Sequence, residues 1–366
     1  MIDFRYHLVS LVAVFLALAV GIVLGAGPLK DPIGATLTKS VQQLRNDQAA
    51  LTQQLKTAQA GIDNRDKFVS GVEPALVADQ LGGRSVVLIT LPGSDNDAVK
   101  PLTDAITAAG GKVTGTIDVQ NAWVDPADDA ARKQAVEQLR QAVGTLPTAG
   151  APTATRPGSG RSSGSAAGSS STSGAGSADS TGSSGAATAA AVIQAQAAQL
   201  LAGAVLTTEV SGSGKTDATE RTLLDGLSKA GLIDVTGAVP GRATQVVLLA
   251  PGVAQAVEGA VPTPTPSPAT DVLSAWVSLA RALDAGSTGA VVTGPASSAS
   301  TGGVLAAIRA QPQASTGVST VDTGGTPMGD VTTVFALREQ QVGDAGNYGF
   351  GDGATAPLPS ASAASS

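Results

Sequence analysis

Ser85-Val-Val-Leu-Ile-Thr-Leu91, with Pro92-Gly93 directly behind it, decides the class of fold. The run is apolar at nearly every position instead of every second one. That is the pattern of a strand covered on both faces, as in a parallel sheet. The same signature returns at Gln245–Ala250 (QVVLLA, then Pro251-Gly252) and at Gly289–Thr293 (GAVVT, then Gly294-Pro295). Lys112–Val119 reads as a further strand. Helical patterns lie between these runs. Ala98–Ala109 is closed by Gly110-Gly111, and Asp128–Val143 has Asp125 as N-cap and Pro126 at its first position. Further helices are predicted at Thr216–Ala230, Thr270–Ala285 and Gly302–Ala310. Strands alternating with helices of this length specify βαβ units. The expectation is an α/β domain with a mostly parallel, Rossmann-like sheet. Neither half has enough apolar strands for a good core, so both halves are expected to share one sheet.

Low-complexity stretches divide this domain. Residues 147–186 are mainly Ser, Gly, Ala and Thr. Such a composition cannot bury enough apolar surface to offset ordering, so a disordered insert is expected. About 40 flexible residues span roughly 35 Å, enough to bridge two sheet segments without strain. The first part of the domain is then 71–146 and the second 187–350. Val261–Pro268 (VPTPTPSP) should be extended, and 351–366 should be a disordered tail.

A different texture precedes residue 71. Leu8–Gly27 (LVSLVAVFLALAVGIVLGAG) carries no charge, and about 20 such residues cross the hydrocarbon of a bilayer as a helix. A cleaved signal sequence has a shorter apolar region of about 7–15 residues, and Pro28 follows the one small-residue site directly, so a retained anchor is favoured. Residues 1–7 are expected on the cytoplasmic side, on a slight charge bias set by Arg5 against Lys30 beside Asp31. Arg5, Tyr6 and His7 form the membrane-interface motif, with Tyr6 suited to the aromatic belt.

Residues 33–70 follow a heptad. One series runs Leu37, Leu44, Leu51, Ala58, Arg65 and the other Val41, Gln48, Leu55, Ile62, Val69. Four to five heptads suffice for a coiled coil. The predicted stalk core is Leu37, Val41, Leu44, Leu51, Leu55 and Ile62, with Gln48 fixing register or strand number. The partner expected through this stripe is a second copy of the chain. A single amphipathic helix folded on the next domain carries the same stripe.

Met1-Ile-Asp-Phe-Arg5-Tyr6-His7-Leu-Val-Ser-Leu, the span ending Gly21-Ile-Val-Leu-Gly25 and the heptads behind it resemble the MctB family of actinobacterial envelope proteins. Val86–Gly93 and Gly346-Asn347-Tyr348-Gly349 continue the likeness. The resemblance implies a single-pass anchor in the cell membrane with the bulk of the chain outside the cytoplasm. It also implies a role in copper homeostasis or efflux, and, as an alternative, in cell separation and envelope integrity through protein contacts. No cofactor is evident; copper enters by the resemblance alone. An unidentified envelope protein is the further partner expected.

The inventory of reactive side chains is sparse. Cys is 0, His is 1 and Met is 2. Disulfides, thiol catalysis and cysteine-held metals are thereby excluded. A net charge of −7 without a basic cluster argues against a nucleic-acid partner. The lone His7 precedes the span, so no His-based triad can form in the domain, and no enzyme is expected. Copper meets the same shortage, because Cu(I) prefers sulfur and Cu(II) imidazole. The expected role in copper homeostasis is therefore accessory or structural.

Ser211-Gly-Ser-Gly214-Lys215-Thr216 ends like a phosphate-binding loop, but Glu209 occupies the place of its first glycine. Loops after the apolar strands should converge, because ligands of open α/β sheets bind at the carboxyl ends of strands. Asp95 and Asp97 are the charged residues in those loops and make a possible ligand site; one of them capping the helix at Ala98 is the plainer reading. Asp125, Asp128 and Asp129 suit a helix start. Trp123 and Trp276 are expected in the core, and Tyr348 and Phe350 are expected to dock the end of the chain on the domain.

Overall fold

A computed structural model describes residues 4–25, 30–143, 181–210, 213–214, 216–237, 240–253, 270–311, 314 and 316–360. Most of the expected insert (147–180) and the Pro-rich stretch Val261–Pro268 lie outside the described residues. The chain divides into two compact units, Met1–Lys67 and Phe68–Ser366.

The first unit is helical. α1 (Phe4–Gly25) contains, among the described residues, the one helix long and apolar enough to cross a membrane, with mean hydropathy 2.4 over Tyr6–Val23. α2 (Lys30–Val77) runs unbroken through the whole heptad region. Its polar positions bond along the helix, Gln42 Nε2 donating to Asn46 Oδ1 (3.3 Å) and Gln59 Nε2 to Asp63 Oδ1 (2.9 Å). Such i,i+4 pairs stabilise an exposed helix surface modestly.

The second unit is built on a seven-stranded sheet: β1 (Ser85–Thr90), β2 (Lys112–Val119), β3 (Ile233–Thr236), β4 (Gln245–Leu249), β5 (Ala290–Thr293), β6 (Val318–Val321) and β7 (Asn347–Tyr348). The order is β3-β2-β1-β4-β5-β6-β7, and every pair is parallel except β2–β3. β1 pairs with β4, Val86 opposite Gln245 through Thr90 opposite Leu249, so the two halves of the chain share one sheet.

Helices cover both faces: α3 (Val99–Ala108), α4 (Asp129–Val143), α5 (Thr181–Val205), α6 (Ala218–Lys229), α7 (Thr270–Gly286), α8 (Val304–Arg309) and α9 (Pro327–Gln340). Successive strand residues point to opposite faces, so every apolar residue of β1 finds a core. Val87 and Ile89 join Val246, Leu248 and Val292 under Leu139, Leu200, Leu201, Leu224, Leu283 and Ile308. Val86 and Leu88 join Val247, Leu249 and Val291 under Leu102 and Ile106 of α3, Val334 and Leu337 of α9, and Val77 at the end of α2. Trp123 and Trp276 are both buried in the first of these cores.

The helix starts follow local chemistry. Asp125 accepts from the Ala127 amide at 2.9 Å ahead of α4, with Pro126 next. Asp217 and Glu220 exchange bonds at the start of α6, each closing an amide that the helix leaves open.

Two boundaries need correction. α5 begins at Thr181, inside the stretch 147–186 assigned to the insert. Its Ala-rich sequence is a strong helix former, and its second half carries the buried Leu200, Leu201 and Val205. Residues 351–360 do not form a free tail. The Thr355 amide donates to Asn347 O at 2.7 Å, the Gly349 amide donates to Ala356 O at 3.0 Å, and Ala356 bridges Tyr348.

Candidate functional site

The loops at the carboxyl ends of the parallel strands do converge. A Cβ placed on Gly93 would lie 3.6 Å from Pro251, and one on Gly252 would meet Ser297 Oγ at 2.7 Å. One on Gly324 would meet Thr293 Oγ1 at 2.6 Å, and one on Gly325 would sit 3.9 Å from Ala98. Glycine is thus required at Gly324, where the backbone of Gly294 comes within 2.7 Å of the position a Cβ would take. The switch in strand order falls between β1 and β4, where a crevice would open. Here that gap is laced shut. The Leu91 amide donates to Leu249 O at 2.9 Å, and Ser94 Oγ donates to the same carbonyl at 2.9 Å. The Ala250 amide bonds Thr293 O (2.7 Å), and the Gly324 amide bonds Gly294 O (2.8 Å). The amides of Leu91, Ala250 and Gly324 are thus committed to the sheet and its loops.

Asp95 and Asp97 lie on this rim, and both are exposed. Asp95 Oδ1 accepts from the Asp97 amide at 3.0 Å and caps the short 3-10 turn Asn96–Ala98 that leads into α3. The capping role is therefore the one the structure displays.

The densest polar cluster is further along the same edge, at the end of β6. Arg309 Nη1 lies 3.0 Å from Asp322 Oδ2, and both side chains are buried. Asp322 also accepts from the amides of Phe350 (2.8 Å) and Gly351 (3.0 Å). Arg309 donates to Thr320 Oγ1 (2.8 Å), Asp352 O (2.7 Å) and Tyr348 O (3.1 Å). Every strong donor and acceptor in this clasp has a partner, which is what a buried charge pair requires. The clasp also explains the Gly346-Asn347-Tyr348-Gly349 motif. Gly349 has φ +120°, and a Cβ there would strike Asp322 Oδ1. Tyr348 is buried, and its hydroxyl donates to Glu339 Oε2; burial and that carboxylate push its pKa upward. Phe350, in contrast, stays exposed. Sequence reading missed the clasp, because Arg309, Asp322 and residues 350–352 are brought together only by the fold. The one local signal was the glycine-rich Gly346–Gly351.

A second group of carboxylates lies on the opposite core. Asp330, in the first turn of α9, is 5% exposed, and its amide donates to Thr326 O at 3.0 Å. Burial first, and the charge of Glu73 second, push it up to about 7. Glu73 on α2 is raised in turn by burial and by Asp104 of α3.

The loop around Ser213-Gly214 is placed at the other end of the sheet. Ser213 Oγ donates to Ser85 Oγ at 2.6 Å, and Ser85 opens β1. That is the amino end of the strands, away from where an α/β sheet receives phosphates.

In the first unit, Tyr6 and His7 are exposed along α1, and the side chains of Arg5 and Leu37 lie outside the described residues. Val41, Leu44, Leu51, Leu55 and Ile62 are all uncovered, Leu44 and Leu55 by 69% and 70%. Among the described residues no group of three or more His, Cys, Asp or Glu is arranged to hold a metal ion.

Comparison with known families follows these features. The family described as "Copper transport outer membrane protein, MctB" matches residues 1–194 and 167–359. The chain belongs to the MctB family. The "Copper transporter MctB" of Mycobacterium tuberculosis (strain ATCC 25618 / H37Rv) is 35% identical over 125 residues, 34% of this chain and 40% of the relative. That of Mycobacterium leprae (strain TN) is 34% identical over 158 residues, 43% of this chain and 47% of the relative. The aligned stretch thus spans less than half the length of these curated relatives. The MctB family description names a transport protein, not an enzyme. Its two matched regions together take in α1, α2 and the whole sheet.

Proposed function

We propose that the chain is a single-pass, membrane-anchored envelope protein that serves copper homeostasis as an accessory or structural component. α1 is the anchor, with Arg5, Tyr6 and His7 at the interface and the domain outside the cytoplasm. α2 pairs with a second copy as a coiled-coil stalk. The Rossmann-like domain is offered to an envelope protein partner. The observation that carries this reading is the apolar stripe of α2, left uncovered from Val41 to Ile62 directly behind a membrane-length apolar helix. Uncovered heptad leucines are satisfied by another helix of the same pattern.

The donor chemistry favours an accessory role over direct handling of the ion. His7 lies on α1, and Met328 is the thioether of the described domain residues. The one helix of membrane length among the described residues cannot by itself enclose an aqueous path, and the sheet has both faces under helices. The second reading is a scaffold for cell separation with no part in copper traffic. The same uncovered stripe and the laced-shut crevice favour it.

Deletion with complementation separates the two. Copper service predicts raised cell copper and copper sensitivity on deletion, restored by the full chain but not by Leu44→Lys. The scaffold predicts chained cells at unchanged copper content. Copper titration of the full chain in detergent is expected to give no stoichiometric binding. Micromolar binding would overturn the accessory role.

A further inference from the structure

The two apolar series of α2 do not stop at Ile62. With Val41 at a heptad a position and Leu44 at d, Val69 is the next a after Ile62, Val72 the next apolar d and Leu76 the a beyond it. All three lie in the last turns of the helix, which belong to the second unit. The domain holds those turns by another face. Val77 is wholly buried in one core with Leu102, Ile106, Val334 and Leu337, and Leu81 follows it there. Successive helix residues point about 100° apart, so burying Val77 turns Leu76 away. Leu76 is 48% exposed, and Phe68, which flanks the series at a g position, is 71% exposed.

One charged residue interrupts the stripe. Arg65 takes a d position, and a polar group in a coiled-coil seam costs stability. Its guanidinium is drawn sideways: Nη2 lies 3.3 Å from Oδ1 of Asp66, at the neighbouring e position. The charge is answered within the chain, and the aliphatic stem is left for the seam. The weak points of the helix fall elsewhere. Pro74 lacks the amide that would bond Ser70 O, and Gly71 has open space where a Cβ would stand. Gly71 and Pro74 are c and f positions, on the outer side of a paired helix, so neither removes a side chain from the stripe.

We propose that the contact with a second copy, the reading on which this inference rests, runs past Arg65 to Leu76 as a two-stranded parallel coil, carrying the pairing onto the turns of α2 that belong to the sheet domain. Parallel alignment follows from the anchors, because two copies fixed in one membrane through α1 start their α2 helices from the same side. Two strands follow from side-chain shape. β-branched Val41, Ile62 and Val69 at a, with Leu37, Leu44 and Leu51 at d, is the pattern of parallel pairs. The occupant of the Val69–Leu76 face is therefore the same face of the second copy. Continuity of register decides it: a stripe engaged through Ile62 brings the next a and d positions opposite their counterparts.

The chain has no cysteine, so a single introduced thiol reports alone. Single-cysteine variants of the full chain in detergent micelles are oxidised with diamide, and linked pairs are read on non-reducing gels, with melting curves to check folding. In a parallel pair, a and d residues face their own counterparts, and a disulfide forms only where the two Cβ atoms approach closely. Leu55→Cys is the reference. Val72→Cys and Leu76→Cys are expected to link within about threefold of its rate, and Ser70→Cys, at an outward b position, at least about tenfold more slowly. Linking at Leu55, with Val72 and Leu76 as slow as Ser70, overturns the proposal and leaves the stalk reading intact. Absence of linking at Leu55 itself, with single chains in sedimentation, removes the stalk reading and this inference with it.

Discussion

β1 and α2 both carry an apolar stripe, and they complete it in opposite ways. All six residues of β1 are buried, because helices from the same chain lie on both faces of the sheet. The leucines of α2 from residue 44 to 55 have no such cover. A continuous apolar run belongs to an element enclosed by its own domain; a heptad belongs to one that waits for another helix. If α2 pairs as proposed, the stability of the domain and the assembly of the chain are written in different stretches, and substitutions should separate them.

Leu88→Asp should have the largest effect. It places an unpaired carboxylate in a wholly buried strand and should cost about 5 kcal/mol or more, leaving no cooperative thermal transition. A folded variant with a normal melting curve would mean that β1 is not the centre of the core. Next is Asp322→Ala, which strands Arg309 and frees the amides of Phe350 and Gly351. A loss of about 3–5 kcal/mol is expected, together with rapid proteolysis after residue 345.

Stability of the second unit should also fall as pH rises from about 4 to 7. Asp330, Asp284, Glu73 and Glu220 are all raised, chiefly by burial. An acid with a raised folded value contributes fully below its unfolded value near 4 and loses that contribution as pH climbs through the folded one. Chemical denaturation of the wild type should give about 2 kcal/mol less at pH 7.5 than at pH 5, and Asp330→Asn should flatten most of the slope. A wild-type curve that rises over this range would contradict the burial described for Asp330.

Leu44→Lys should leave the melting of the domain unchanged and cost about 2 kcal/mol of pairing, read as a shift toward single chains in analytical ultracentrifugation. An unchanged oligomeric state would detach the stripe from self-association and break the contrast with β1. The smallest effect is assigned to Asp95→Ala. Losing one cap on an exposed turn costs about 1 kcal/mol and should leave copper phenotypes untouched.

What could be read from sequence follows from how each element is stabilised. β1, β4 and β5 were legible because apolar runs end at Gly and Pro, and β2 because a β-branched run follows Gly110-Gly111. The capped turns ahead of α3 and α4, at Asp95 and Asp125, were legible because a cap is decided within three residues. β6 (VSTV) and α9 were not. Ser319 and Thr320 are buried, but their hydroxyls meet Gln340, the Gly346 amide, Arg309 and Asn347. In α9, Asp330, Thr332 and Thr333 occupy buried positions that a hydrophobic pattern reserves for carbon. Buried polar residues cancel the periodicity that betrays a core element. Arg309 and Asp322 meet residues 348–352 only through the fold, so nothing local could announce the clasp.

The clasp at the end of β6 bears on the order in which the chain can be finished. Asp322 and Arg309 take partners from Tyr348, Phe350, Gly351 and Asp352. During synthesis these arrive more than twenty residues after Asp322. Until then a charge pair destined for the interior stands half solvated at an open sheet edge, with β7 absent. A chain that stopped before Tyr348 would lack these partners and leave the Arg309–Asp322 pair at an open sheet edge.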